Sequence, residues 1–187
     1  MKDRLPLVAA VAAVLAVAGC NLYNGLVEKG EGVDAAWSDV NAMLQRRADL
    51  VPNLVATVKG YAAHEEKVFA EVSDARSRLA GAKTPSESAA ADAALTGALG
   101  RLLAISEAYP ELKANENFLR LQDELSGTEN RIAVSRKDYN DLAKAYNTAI
   151  RRLPASLVAG ALGFEKKDYF EPPAGEQAVN QAPAVAF

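Results

Sequence analysis

The chain has 187 residues, half of them hydrophobic, with 21 basic and 24 acidic side chains and a single cysteine. No run of Lys and Arg is long enough to track a phosphate backbone, which argues against nucleic acid as a partner. One thiol leaves no intramolecular disulfide, so packing alone must hold the fold.

The first element is the N-terminal segment. Lys2 and Arg4 precede an apolar run from Leu5 to Val17, and Ala18-Gly19 leads into Cys20. A run of about 13 residues fits a secretory core and falls short of a membrane span of about 20. The segment resembles a bacterial lipoprotein signal, in which the cysteine is acylated and becomes the mature N-terminus. One acyl chain binds a bilayer reversibly and two or more hold it stably. Residues 1–19 are therefore expected to be a signal peptide, with Cys20 the lipidation site. Asn21, where a retention signal resembles Asp, places the protein at the outer membrane facing the periplasm in a cell with two membranes.

From there on the pattern is helical, and no segment alternates like a strand. A first stripe holds Leu26, Val33, Trp37, Val40 and Leu44. A second holds Leu54, Val58, Tyr61, Glu65, Val68, Val72, Ala75 and Leu79. Asp49 is expected to cap the second helix with Pro52 in its first turn; the lesser alternative is that Pro52 kinks one rod joining both stripes. A third, alanine-rich segment carries Leu95, Leu99 and Leu102, with Ser86 as its cap and Pro110 as its end. Asn115 caps a fourth helix, whose seam runs from Phe118 through Leu121, Leu125, Thr128, Ile132, Ser135, Tyr139, Leu142, Tyr146 and Ile150 to Leu153. Pro154 ends it, and Ala155 to Leu162 adds short turns. Short connections between long amphipathic helices favour antiparallel neighbours. The expected fold class is all-α: an antiparallel up-and-down four-helix bundle over residues 20–170, followed by a disordered tail over 171–187.

Aligning antiparallel levels places a polar layer inside this bundle. His64 and Glu65 should lie level with Glu129, Asn130 and Arg131, while Arg46, Arg47, Asp49 and Asn53 should lie near Asn115 to Asn117. A seam glutamate needs a cation, and Arg131 and Lys59 are the candidates for Glu65. These nine residues, Arg46, Arg47, Asp49, Asn53, His64, Glu65, Glu129, Asn130 and Arg131, either fix helix register or form a binding site for a small ligand or anion. Catalysis has little to build on. His64-Glu65-Glu66 opens like a zinc-protease helix, but the chain holds one histidine and the required second is absent. No Gly-x-Ser-x-Gly elbow occurs either. The reading is non-enzymatic, with no metal and no cofactor.

Several stretches carry a family resemblance: Tyr23-Asn24-Gly25-Leu26-Val27, Ala36-Trp37, Arg46 through Val55, Thr57 through Glu65, and Ala75-Arg76. Glu107 through Lys113, Gly127 through Ala133, Arg136, Tyr139-Asn140 and Tyr146-Asn147 continue it. Together they resemble the LemA family signature, from about Tyr23 to Phe170. The resemblance implies an all-α bundle tethered to a membrane outside the cytoplasm, with envelope proteins as partners, among them HtpX-type membrane proteases or TPM-domain proteins. It supplies no reaction. Cys20 after Gly19 departs from the helical anchor of many members and points to a lipid anchor instead. The expected role is a scaffold or adaptor presenting helix faces to envelope proteins.

Overall fold

A computed structural model describes residues 5–171, without the side chains of residues 5–12, 14 and 15. The tail expected over 171–187 therefore lies, from Pro172 on, outside the described residues. Those described are all-helical, with five α-helices and no strand: α1 (Leu5–Lys59), α2 (Glu66–Gly81), α3 (Pro85–Ser106), α4 (Pro110–Lys113) and α5 (Glu116–Arg151), followed by a 3-10 turn at Ala155–Leu157.

The main departure from expectation is α1. It is one helix of 55 residues that absorbs the first stripe and the start of the second, so no reversal occurs at Pro52. Asp49 is not a cap. Its carboxylate accepts a hydrogen bond from Gln45 Nε2 at 2.8 Å, one turn back on the same helix. Pro6 falls in the first turn of α1, where a missing N–H has no intrahelical partner to lose. Pro52 is different, because an interior proline strips the carbonyl four residues earlier of its donor. That carbonyl belongs to Ala48, which is buried. Arg76 on α2 fills the gap, its Nε donating to the Ala48 oxygen at 2.8 Å. The side chain of α2 thus completes the backbone of α1, and the helix runs on for two more turns to Lys59.

The chain turns at residues 60–65 instead. Tyr61 and Ala62 both donate to the Val58 carbonyl, which closes the end of α1. Glu65 lies in this turn, at the N-cap of α2, rather than in a helical seam. Val72, Ala75 and Leu79 of the second stripe are buried as expected, while Phe69 takes the core position beside the half-buried Val68 and Tyr61 is exposed. Thr84, not Ser86, caps α3. Its hydroxyl accepts from Glu87 N while the Glu87 carboxylate accepts from Thr84 N. The backbone N–H groups of Lys83 and Thr84, both donating to the Glu87 carboxylate, hold its carboxyl below the usual carboxylate range. Asn115 caps α5 as expected, accepting from Phe118 N at 3.0 Å.

Helices α1 and α5 run antiparallel in a fixed register. Tyr61 meets Asn115, Arg47 meets Glu129, Trp37 meets Tyr139, and Gly30 meets Tyr146. Each interval along α1 is matched by the same interval back along α5. Helices α2 and α3 form an antiparallel hairpin, joined at one level by the Arg101–Glu71 ion pair (2.8 Å), and pack on the C-terminal half of α1. One apolar core runs through all of them, from Leu26 and Val33 past Leu54 and Leu95 to Phe118 and Ile132. Leu142 and Leu153, placed in the α5 seam by periodicity, face solvent, and Ala143 takes the core position beside Leu142.

Candidate functional site

The charged residues that come together lie where α1, α3 and α5 meet. Arg47 on α1 donates from Nη1 to Asp92 Oδ1 on α3 at 2.7 Å. The two side chains are 4% and 5% exposed, so the pair is closed to water. Arg136 on α5 approaches the other Asp92 oxygen at 3.8 Å, and Glu129 approaches Arg47 Nη2 at 3.7 Å from a solvent-exposed position. Arg47 Nε is buried without a hydrogen-bond partner among the described residues. An unmet buried donor costs about 1–3 kcal/mol, which marks a geometry not optimised for stability.

The cluster continues into the C-terminal segment. The Arg136 guanidinium lies 4.4 Å from the ring centroid of Phe170, and that ring sits 6.2 Å from Trp37. Two asparagines one heptad apart on α5 hold this segment. Asn147 exchanges two hydrogen bonds with the backbone of Lys167, at 2.8 and 2.9 Å, and Asn140 does the same with Phe170, at 3.0 and 2.8 Å. Seven helical residues rise about 10 Å and three extended residues span nearly the same, so the two ladders match. Lys167 adds an ion pair to Asp34 on α1 at 2.6 Å.

Tyr139 donates its hydroxyl to the Asp168 carbonyl at 2.6 Å. Burial, with the nearby charges of Asp168 and Asp34, pushes its phenol up to about 12. The folded value lies above the unfolded one, so the contribution is complete below about pH 10 and is lost as pH rises through about 12. Thermal melts across this window should fall more steeply for the wild type than for Tyr139→Phe. Parallel curves would show that the hydroxyl contributes nothing.

The polar layer expected from the sequence is only partly assembled. Arg47 and Glu129 meet, but at the middle of the paired helices and not near the chain reversal. Arg46, Asp49 and Asn53 are exposed on α1, His64 is exposed in the α1–α2 turn, and Asn130 and Arg131 are exposed on α5. Glu65 is half-buried and forms no ion pair among the described residues, while Lys59 lies 5.1 Å from the Phe69 ring centroid. The level assignment failed because it assumed a reversal at Pro52. With α1 continuous to Lys59, every antiparallel partner on α5 moves. Asp92 and Arg76 were absent from the expected set, although both complete contacts on α1. Among the described residues no group of three or more His, Cys, Asp or Glu side chains comes together.

This geometry defines an all-helical protein whose buried charges join helices and whose C-terminal segment is strapped to the longest helix pair. The LemA family model matches residues 36–187, and the chain belongs to the LemA family. It is 33% identical to magnetosome protein MamQ 2 of Paramagnetospirillum magneticum and to magnetosome protein MamQ of Magnetospirillum gryphiswaldense, in each case over 82% of this chain and 66% of the relative. Protein LemA of Metamycoplasma hominis is 26% identical over 79% of this chain and 68% of its own length. The chain spans just under two thirds of the length of the MamQ proteins it matches.

Proposed function

We propose that this LemA-family chain is a lipid-anchored protein of the cell envelope that presents helix faces to partner proteins and performs no catalysis. The observation that carries the anchor is Cys20, the only thiol, which follows Ala18-Gly19 at the end of the apolar run and is exposed on α1. Diacylation there would hold the chain on one leaflet, with Asn21 favouring the outer membrane on its periplasmic side. Beyond the anchor, the long α1–α5 pair and the α2–α3 hairpin packed on α1, with Arg47 and Asp92 paired between α1 and α3, would suit a stable presenting surface. The name of the MamQ relatives, magnetosome proteins, supports a part in a cellular assembly. Envelope proteins, such as a membrane protease or a TPM-domain protein, are the proposed partners. A small-ligand or anion sensor is the second reading and draws on Arg47 Nε. Its burial means that a ligand would have to part α1 from α3 to reach it.

The test is Cys20→Ser, followed by fractionation and mass spectrometry of the N-terminal peptide. The expected result is loss of the acylated peptide and of the processed, membrane-bound form. Processed protein that stays in the membrane with residue 20 unmodified would overturn the anchor.

A further inference from the structure

After α5 ends, the chain folds back on the stretch of α1 around Cys20. Leu157, Val158 and Leu162 lie across from Leu22, Tyr23 and Leu26 of α1, and together they bound an apolar groove of about 490 Å³. Its outer wall is bare: Leu157 is 76% exposed, and Leu162 and Tyr23 also face solvent, while Leu153, just before the groove in the chain, is equally exposed. A cluster of exposed leucines on a ten-residue turn is unusual for a surface that meets only water, and such patches mark a contact with protein or lipid.

We infer that the Leu153–Leu162 turn is a second membrane contact, laid into the interfacial layer of the bilayer so that its leucines meet lipid acyl chains beside the Cys20 anchor. The inference rests on the anchored reading proposed above. Lipid is the occupant because the tether leaves the groove nowhere else to be. Leu22 stands two residues from Cys20 and Leu26 six, rises of about 3 Å and 9 Å along a helix. An apolar face at the boundary of headgroups and acyl chains sinks about 5–10 Å, so the groove lies within that depth. Removal of residues 1–19 would take Ala18 and Gly19 from the groove's lower end and open it toward the bilayer. Arg151 and Arg152, both exposed, come directly before Leu153 and supply cations for lipid phosphates.

The experiment uses Leu157→Trp in the full-length gene, with the protein purified from membranes and returned to vesicles of brominated phosphatidylglycerol. The wild type sets the baseline, since its one tryptophan, Trp37, stands 17 residues from Cys20, about 26 Å along α1. Val134→Trp, at an exposed position on α5 level with Ala42 of α1 and so about 33 Å from Cys20 along the helix, is the control. The expected result is loss of the emission added by Leu157→Trp relative to unbrominated vesicles, with none lost from Val134→Trp or the wild type. Unquenched emission from Leu157→Trp in vesicle-bound protein overturns the inference. So does blue-shifted but unquenched emission, which would mean that residues 172–187 or a second copy covers the groove. Mass spectrometry of Cys20 on the same material judges the anchor separately. Quenching judges the turn whether or not the cysteine is acylated.

Discussion

Arg76→Met is expected to destabilise the protein by about 1–3 kcal/mol, and most of that loss should vanish in a Pro52→Ala background. The reason lies in one carbonyl. Pro52 cannot donate to Ala48, and the Arg76 guanidinium does so from a neighbouring helix. Methionine keeps much of the stem's apolar contact and leaves the buried oxygen unmet. Restoring a backbone N–H at position 52 supplies the bond within α1, which makes Arg76 dispensable. Urea denaturation of the four proteins checks this cycle, read as midpoints at unchanged slope. Equal losses from Arg76→Met in both backgrounds would show that Arg76 acts elsewhere. Pro52→Ala alone should stabilise the helix, since an interior proline costs about 3 kcal/mol relative to alanine.

The second large effect is expected at the buried ion pair. Asp92→Ala strands the Arg47 guanidinium at the junction of α1 and α3, with the exposed Glu129 at 3.7 Å as its remaining anionic neighbour. Breaking a buried pair from one side costs about 3–5 kcal/mol, whereas replacing both partners by apolar residues of similar size is often neutral. Arg47→Met combined with Asp92→Leu should therefore fold nearly as stably as the wild type. If it does, the pair serves helix order rather than stability. A double variant as damaged as Asp92→Ala would assign the pair a structural contribution that apolar packing cannot replace.

Much of this was legible in advance. Most of the α5 seam, the Asn115 cap, the helix end ahead of Pro154 and the absence of strands among the described residues all follow from local rules that tertiary contacts do not override. What failed failed at Pro52, where two local readings compete. A proline one turn after Asp49 satisfies the pattern of a helix start, and only a distant arginine makes an interior proline tolerable. Asp92 was within reach. It is the one acid in the apolar stretch between Glu87 and Arg101, and it precedes Leu95, Leu99 and Leu102 at spacings of 3, 4 and 3, which puts it on the buried face. Asn140 and Asn147 were visible only as residues of the family signature. Their partners are backbone atoms of a segment with no periodicity, so nothing in the pattern pointed to them.

The unbroken α1 also sets a height. On the anchor proposed at Cys20, the 39 residues to Lys59 would hold the α1–α2 turn about 58 Å from the acylated end along the helix. Because α5 keeps step with α1 residue for residue, that elevation changes only when both helices are shortened together. Seven residues removed from each would lower the platform by about 10 Å while keeping the same faces turned inward. Anchored in that way, the molecule would act as a spacer of defined stature, and a partner at its far end would have to reach, or be carried, to that altitude.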